Sequence, residues 1–248
     1  MKYGLVLSGG GVRGIAHLGV LKALEEKGIR PSEIAGTSAG AIVGAMYAHG
    51  YSPDEILHII LKTKFFHAFR PSLSFTGLLR MEALEKILHE YLPVDFGSLK
   101  IPLTIGTTNL KQGKTVFFSI GQLLKPILAS ACVPGIFNPV EIDGVKYIDG
   151  GILNNLPVEP LLDKDYAIIG VHTNPINENF IGKNVKNILE RTMLLAISGN
   201  TKLNASFCDH YIEPPALGEY TAMDISKAEE LFKIGYQYTK ENSNTFDK

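Results

Sequence analysis

Ser38 is the residue of this sequence best placed to act as a nucleophile. It lies at the centre of a G-x-S-x-G pentapeptide between Gly36 and Gly40, after a short stretch that could form a strand, residues 31–35, and before a small and apolar run, residues 41–48. At a sharp turn from strand to helix, a serine hydroxyl stands clear of the backbone and faces the positive end of the helix dipole. The flanking glycines have no Cβ, so strand and helix can approach closely around the turn.

The same pentapeptide also has a purely structural interpretation. A pattern of three fixed residues can recur by chance in a glycine-rich chain, and this chain has 25 glycines among 248 residues. On that interpretation, the turn ends a strand and Ser38 caps the helix that follows. Other motifs in the chain must decide between a nucleophile and a cap.

A glycine-rich loop joins the first predicted strand, residues 3–7, to a predicted helix, residues 15–27. The residues of the loop are Ser8, Gly9, Gly10, Gly11, Val12, Arg13 and Gly14. The loop matches G-x-G-x-x-G, a pattern of dinucleotide-binding folds, which need an acidic residue about 20 positions later at the end of the next strand. Glu33 lies near that distance but opens a strand, so the dinucleotide fingerprint is incomplete.

Consecutive glycines have a second use, because their backbone N–H groups can point at a developing oxyanion. One such donor is typically worth roughly 10²–10³ in rate. We therefore expect Gly9, Gly10 and Gly11 to form an oxyanion hole. Arg13 either neutralises charge and braces this loop or is a surface residue at the start of the helix, and Gly14 ends the loop.

An acidic residue, Asp149, closes a later predicted strand, residues 145–148, which follows a hairpin turn of sequence Asp-Gly at 143–144. Gly150 and Gly151 come directly after it and leave room for another group to approach the carboxylate. The structural alternative is an Asx-type turn. A serine needs a base to take its proton, and burial beside the serine would raise the pKa of an aspartate from its ordinary value of about 3.9.

Histidine is the usual base for a serine nucleophile, because its pKa lies near neutrality. The chain has seven histidines, of which His172 and His210 follow Asp149, as the chain order of an α/β-hydrolase triad requires. His172 directly follows a predicted strand, residues 166–171. A Ser–Asp–His triad through His172 is therefore the alternative to a Ser–Asp dyad.

Composition sets the general class of protein. Hydrophobic residues make up 45% and charged residues 20% of the chain, as in globular proteins, and the formal net charge is −1 with no basic block, so we expect no nucleic-acid partner. Cys132 and Cys208 are too few for a disulfide framework or a cysteine-rich metal site. The first seven residues reach Ser8 and its glycines too early for a signal peptide, so we expect a cytoplasmic location.

The elements that must position these residues alternate between strands and helices, which indicates an α/β fold with a largely parallel sheet between helix layers. Predicted strands span residues 3–7, 31–35, 101–109, 115–120, 140–142, 145–148, 166–171 and 209–212. Predicted helices span residues 15–27, 41–48, 53–64, 81–91, 122–131, 185–207 and 224–242. Segment 65–77 contains four phenylalanines without a clear period, and it is either a loop that plugs the edge of the core or a mobile flap beside an acyl pocket.

A glycine loop after the first strand, G-x-S-x-G at a strand-to-helix turn and Asp-Gly-Gly after a later strand, in that order, resemble the patatin-like phospholipases. Arg13 and Gly14 match the end of that family's loop, segment 129–137 resembles the stretch before its aspartate hairpin, and Asn155 and Pro157 match its Asn-x-Pro. The resemblance covers roughly residues 4 to 172, and no motif anchors it beyond that point.

The resemblance implies a single domain over residues 1–248 with a three-layer α/β/α fold. It also implies a Ser–Asp dyad that hydrolyses the acyl esters of lipids, with Ser38 as nucleophile, Asp149 as base and no histidine. Supporting roles would fall on the loop residues Arg13 and Gly14 and on the motif glycines Gly36, Gly40, Gly150 and Gly151.

We expect no cofactor or metal, and we expect a lipid or acyl-ester substrate with transient contact with a membrane surface. Two alternatives remain: a short-chain carboxylesterase with a triad, and a non-catalytic module that binds acyl groups or lipids. The sequence does not predict an oligomeric state.

Overall fold

The structure is a computed structural model that describes residues 1–63, 81–182, 184–222 and 224–242. The aromatic segment 65–77 lies outside the described residues, so both interpretations of it stay predictions. None of the helices described is both sufficiently long and sufficiently apolar to pass through a lipid bilayer.

Strands and helices alternate along much of the described chain. The strands are β1 (Tyr3–Leu7), β2 (Pro31–Thr37), β3 (Leu103–Asn109), β4 (Lys114–Phe118), β5 (Val140–Ile142), β6 (Val145–Asp149), β7 (Ala167–Val171) and β8 (His210–Ile212). The α-helices are α1 (Ala16–Glu26), α2 (Ala39–His49), α3 (Pro53–Lys62), α4 (Glu82–Tyr91), α5 (Leu124–Ser130), α6 (Val185–Ala205) and α7 (Ala228–Asn242).

The predicted start of the last helix at residue 224 was wrong by four residues. The Asp224 side chain accepts a hydrogen bond from the Ser226 backbone N–H at 3.1 Å, and residues Ile225–Lys227 form a 3₁₀ turn before α7 begins. Asp224 therefore acts as a cap that starts a tighter turn, because short polar side chains compete with the backbone for its first donors.

The eight described strands form one sheet in the order β5-β6-β3-β2-β1-β7-β8, and β4 pairs with the other edge of β3. Strands β8, β7, β1, β2 and β3 pair in parallel, whereas β4, β5 and β6 join by antiparallel pairing. β1, in the parallel centre of the sheet, is buried on both faces, which explains its continuous apolar sequence. The sheet is therefore mixed, with a parallel centre and an antiparallel end.

Successive residues of β1 face opposite sides of the sheet and join different cores. Leu5 and Leu7 belong to the larger core, which also contains residues of α1, α2 and α7. Val6 belongs to a smaller core with Leu156 and Leu161, against which the C-terminal end of α6 packs. Helices thus flank both faces of the sheet, and the predicted α/β/α fold is confirmed.

One edge of β3 brings two distant parts of the chain together. The N-terminal half of β3 pairs with β2, in which Thr37 lies opposite Gly106. The C-terminal half pairs with β6, in which Asp149 lies opposite Thr107. Because β4 occupies the other edge of β3, β2 and β6 must share this one. The end of β2 and the end of β6 therefore meet at adjacent residues of a single strand.

Candidate active site

Ser38 is the single residue between strand β2 and helix α2. Its backbone has φ 52° and ψ −120°, a conformation that costs a non-glycine residue on the order of 1–3 kcal/mol. Ser38 occupies the N-cap position of α2, as the structural interpretation expects, but its side chain makes no capping hydrogen bond to the helix. The turn instead directs the hydroxyl across the sheet edge, while the helix dipole of α2 begins beside it.

Gly36 and Gly40 allow the strand and the helix to pack tightly on either side of this turn. A Cβ on Gly36 would lie 2.6 Å from the Gly40 carbonyl oxygen, and a Cβ on Gly40 would collide with the Leu7 carbonyl. The two glycines of the pentapeptide therefore make room for α2 to start against β1 and β2.

The Asp149 carboxylate lies in direct contact with the serine. Its Oδ2 accepts a hydrogen bond from Ser38 Oγ at 2.6 Å, and its Oδ1 accepts one from the Gly151 backbone N–H at 2.7 Å. The sequence left a choice between an Asx-type turn and a carboxylate approached by another group. Asp149 combines the two, because Oδ1 closes the turn with Gly151 and Oδ2 contacts Ser38. Ser38 is 8% exposed and Asp149 is 6% exposed.

Burial raises the pKa of Asp149 from its ordinary value of 3.8 to about 6, although the hydrogen bonds from Ser38 and Gly151 act in the opposite direction. The neighbouring Cys132 stays neutral, since burial raises the pKa of its thiol to about 12. Asp149 is therefore a stronger base than an exposed aspartate and is ionised at neutral pH.

Gly150 and Gly151 follow Asp149 where the chain leaves the sheet. A Cβ on Gly150 would collide with the Gly106 carbonyl of β3, and one on Gly151 would lie 3.0 Å from Asp149 Oδ1. The absence of a Cβ on Gly150 lets the chain turn directly against β3, and that on Gly151 lets the backbone approach the carboxylate.

The glycine loop lies on the other side of the serine. The Gly9 N–H donates to the Asn155 carbonyl at 3.3 Å, and the Gly9 carbonyl accepts from Asn174 Nδ2 at 2.8 Å. Gly10 and Gly11 donate to no backbone carbonyl among the described residues. Gly9, which we expected among the oxyanion donors, therefore has its N–H engaged by Asn155, and the N–H groups of Gly10 and Gly11 are the donors of this loop that remain for an oxyanion.

Gly11 and Gly14 bring the loop close to its neighbours. Gly11 has φ 58°, in the left-handed region that favours glycine, and a Cβ there would lie 2.5 Å from the Ala222 carbonyl oxygen. A Cβ on Gly14 would lie 2.5 Å from the Ala39 Cβ, at the start of α2. The loop is thus pressed between α2 and the segment around residue 222.

Arg13 is buried, so the interpretation of Arg13 as a surface residue is wrong. Only 4% of it is exposed, and its guanidinium donates to the Tyr220 carbonyl at 2.7 Å and to Asn174 Oδ1 at 3.3 Å. Glu190 lies 3.5 Å from the same guanidinium. These contacts join the glycine loop to α6 and to segment 215–222.

Sequence reasoning gave no role to two supports of this site. Ser130, at the end of α5, accepts the Ser38 backbone N–H at 2.8 Å and donates to the Gly106 carbonyl at 2.7 Å. The Ala222 carbonyl accepts the Val12 N–H at 2.8 Å, in a region where the sequence shows no motif. The only sequence signal for Ser130 is that it lies in the segment that resembles the family, 129–137.

His172 and His210 belong to another part of the sheet. The His172 Nδ1 lies 2.7 Å from Glu213 Oε1, and its ring stacks on Tyr211. β7 is separated from β2 by β1, so His172 follows a strand about 10 Å from the one that ends at Ser38, and β8, which holds His210, lies farther away. Among the described residues, neither histidine has a hydrogen bond to Ser38 or Asp149.

The fold and the site define the class of protein: an α/β protein in which a serine at a strand-to-helix turn is hydrogen-bonded to a buried carboxylate. The family model for patatin-like phospholipases matches residues 5–162, which is more than half of the chain. The chain therefore belongs to the patatin-like phospholipase family, and the resemblance drawn from the sequence is confirmed.

The chain is similar to several known proteins over different fractions of their length. An NTE family protein of Mycobacterium tuberculosis is 40% identical over 161 residues, covering 63% of this chain and 44% of the relative. Lysophospholipase NTE1 of Saccharomyces cerevisiae is 29% identical over 275 residues, covering 95% of this chain and 16% of the relative. This chain thus spans less than half the length of these relatives.

One solved structure shows the likeness in fold. The crystal structure of VipD from Legionella pneumophila matches with a TM-score of 0.58 at 18% identity, covering 97% of this chain and 66% of that chain. At this identity, the match concerns the fold alone.

Proposed function

We propose that this protein is a serine acyl hydrolase in which Ser38 and Asp149 form a catalytic dyad that cleaves carboxylic esters of lipids. The observation that carries the proposal is the 2.6 Å hydrogen bond from Ser38 Oγ to Asp149 Oδ2 in a buried site. We also propose that the chain acts as one domain, because the groups that hold the site come from both ends of it, from Gly10 to Ala222.

In the first half of the reaction, Ser38 Oγ attacks the ester carbonyl carbon while its proton passes to Asp149 Oδ2. The oxygen of the tetrahedral intermediate becomes negative, and the N–H groups of Gly10 and Gly11 stabilise it. When the intermediate collapses, the C–O bond to the alcohol breaks and the alcohol takes the proton from Asp149. An acyl-enzyme remains on Ser38.

In the second half, water attacks the acyl-enzyme and gives its proton to Asp149. Ser38 Oγ is the leaving group and recovers that proton, so a free acid is released and both residues return to their starting states. Asp149 suits both steps, because a pKa of about 6 lies near the operating pH, where general acid–base catalysis is most efficient.

The family supports a lipid ester as substrate, and a cleft beside the glycine loop agrees with it. The cleft has a volume of about 440 Å³, within the range of ligand sites, and Arg13 forms part of its wall. The apolar side chains of Phe180, Ile181 and Leu194 line it among a majority of polar and charged residues, and neither Ser38 nor Asp149 forms part of its wall. The apolar side chains suit an acyl chain, and the polar ones suit the rest of a lipid ester.

Labelling with a fluorophosphonate tests the nucleophile. We expect one label per molecule by intact mass, mapped to Ser38 by peptide analysis and lost in Ser38→Ala. The control is Ser206→Ala, which removes an exposed serine just after α6 and should label like the wild type. Labelling at another residue would overturn the proposal.

Turnover then separates the substrate classes. We expect the wild type to release fatty acid from a lysophospholipid as well as to cleave a short-chain p-nitrophenyl ester. Cleavage of the short-chain ester alone would favour the carboxylesterase alternative. Lipid binding with neither label nor turnover would favour the non-catalytic module.

A further inference from the structure

Helix α6 exposes a row of large apolar side chains, which we call the outer stripe. Its members are Val185, Ile188, Leu189, Met193, Leu195 and Leu203, and each is between 39% and 72% exposed. With 100° per residue, all six lie within an arc of roughly 160°. Nine of the seventeen exposed large hydrophobic residues in the described chain fall between Phe180 and Phe207. Exposed apolar surface concentrated in this way marks an interaction site.

The opposite side of α6 faces the protein and is polar where it is most buried. Thr201 is 1% exposed and Asn204 is 5% exposed, and Asn204 Nδ2 donates to the Leu156 carbonyl at 2.8 Å. Glu190 accepts from the Ala222 backbone N–H at 2.9 Å. A helix of a globular protein normally turns its apolar face inward, and α6 does the reverse.

Segment 183–207, which contains α6, is rich in basic residues. Residues 183–207 contain Lys183, Lys186, Arg191 and Lys202, with Glu190 as the single acidic residue. Glu190 is directed inward, where it lies 3.5 Å from the buried guanidinium of Arg13. Segment 183–207 therefore carries positive charge, although the whole chain has a net charge of −1.

α6 is also tied to both sides of the candidate active site. Near its N-terminal end, Glu190 contacts Arg13 of the glycine loop. Near its C-terminal end, Asn200 donates to the Leu153 carbonyl, four residues after Asp149. Phe180 and Ile181 precede the helix, are 39% and 73% exposed, and also line the cleft beside Arg13. Apolar surface thus continues from the segment before α6 into the cleft.

We propose that the outer stripe of α6 docks this protein on a lipid surface that carries anionic headgroups, with the cleft beside the glycine loop turned towards that surface. An amphipathic helix with apolar and basic residues lies in the plane of the interface, where its apolar face is buried among lipid chains and its cations meet headgroups. The role of docking in delivering substrate rests on the function proposed above, whereas the docking itself does not.

A second copy of the chain fits this face less well. Pairing two outer stripes would bring two segments of the same net charge together, and like charges across an interface oppose association. An anionic lipid surface satisfies both the apolar stripe and the charge.

Flotation with vesicles tests the proposal in a form that does not depend on turnover. The probe is a vesicle of phosphatidylcholine and phosphatidylglycerol at 7:3, and every variant carries Ser38→Ala so that the membrane stays intact. We expect Ile188→Gln with Leu189→Gln to weaken vesicle binding by at least about tenfold, since burial of each such side chain is worth about that factor. The matched control, Val94→Gln with Ile120→Gln, removes two side chains that are 75% and 84% exposed elsewhere, and it should bind normally.

The outcomes separate docking from function. Equal vesicle binding by the stripe variant and by the protein with an intact stripe would overturn the docking proposal. So would an intact stripe that binds no vesicles but forms a dimer, if the stripe variant no longer dimerises. With Ser38 restored, we expect the stripe variant to lose hydrolysis of vesicle lipid but to keep hydrolysis of a soluble ester. Normal vesicle binding without any hydrolysis would remove the proposed function and leave docking standing.

Discussion

Two pairs that each contain an acidic side chain lie at the same end of the central sheet; the pair of Ser38 and Asp149 is buried, whereas the Glu213 side chain of the other pair is 34% exposed. In one, Asp149 accepts a hydrogen bond from Ser38 at 2.6 Å; in the other, Glu213 lies 2.7 Å from His172. Judged by residue type, histidine is the better base. Strand order nevertheless directs His172 to Glu213 and Asp149 to the serine. The comparison teaches that strand pairing, more than residue type, determines which base can serve a nucleophile.

The distance between Ser38 and His172 follows from the way in which β2 and β7 pair with β1. Gly36 of β2 and Val171 of β7 both lie opposite Leu7, on its two sides. His172 is therefore level with Thr37 but two strands away, about 10 Å across the sheet. A side chain that comes from beyond β1 would have to cross that strand to reach Ser38, whereas β6 reaches Ser38 from the other side of β2, along β3.

The largest expected effect comes from making the same change in each pair. Asp149→Asn should fold and lose roughly 10²–10⁴-fold in kcat/KM, the usual contribution of a general base, because the amide cannot accept the serine proton. Glu213→Gln is the matched control and should stay within a few fold of the wild type. Steady-state hydrolysis of a soluble ester measures both, and equal losses would bring the His172 pair into the mechanism.

Asp149→Asn should raise stability at neutral and alkaline pH, although it lowers activity. Because the folded-state pKa of Asp149 is raised to about 6, the folded protein binds this proton more tightly than the unfolded chain does, and its stability falls as pH rises from about 4 to 6. Above pH 6 the buried charge costs up to about 3 kcal/mol. Asp149→Asn should therefore raise Tm at pH 8 but not at pH 4. Thermal unfolding at both pH values measures it, and an equal shift at both would contradict the assigned pKa.

The pH dependence of turnover tests the raised pKa of Asp149 in the wild type. Asp149 accepts a proton only as the carboxylate, so kcat/KM should fall tenfold per pH unit below about pH 6 and stay level above it. The residual activity of Asp149→Asn should lack this inflection. An inflection near pH 4 in the wild type would mean that burial does not raise the pKa of Asp149.

Ser130→Ala probes the backbone support of the nucleophile. It removes the acceptor of the Ser38 N–H, which leaves a buried donor unpaired and allows the turn to shift. Leaving a buried donor unpaired costs about 1–3 kcal/mol, so Tm should fall. Because the turn can also shift, we expect roughly a tenfold fall in kcat if about half of that cost reaches the transition state. Hydrolysis and thermal unfolding measure both, and Ser130→Thr, which keeps the hydroxyl, should recover part of the loss in kcat.

The smallest expected effect on activity is that of His172→Gln. Glutamine can still bond to Glu213, so kcat/KM should stay within about threefold while Tm falls by a few degrees through lost packing on Tyr211. Circular dichroism confirms the fold before hydrolysis is measured. A loss as large as that of Ser38→Ala would instead establish a triad.

Much of this arrangement could be predicted from local sequence. Buried strands appear as apolar runs, and the Asp-Gly turn at 143–144 is a local hairpin signal, realised with φ 50° and φ 75°. Both members of the candidate dyad stand where such local patterns end. That is why Ser38 and Asp149 could be proposed before the fold was known, although their roles stay proposals.

Other features depend on contacts between distant residues. Ser130 is 92 residues from Ser38, and Glu213 is 41 residues from His172. No local period encodes such pairs, because they arise from strand order and from the ends of helices. The exposure of the outer stripe of α6 could not be predicted for a related reason. Periodicity shows that a helix has an apolar face, but it does not show whether that face lies against the protein or against solvent.

The shared edge of β3 has a consequence for how the site responds to motion. Ser38 directly follows Thr37, which pairs with Gly106, and Asp149 itself pairs with Thr107, so any displacement of β3 carries both groups together. The glycine loop has a different anchorage, on β1 and on Ala222. Warming or loosening the protein should therefore disturb the alignment of the oxyanion donors before it disturbs the proton-transfer distance. If the proposed function holds, the heat tolerance of the activity is limited by how well a bound carbonyl is held, not by how well the serine is activated.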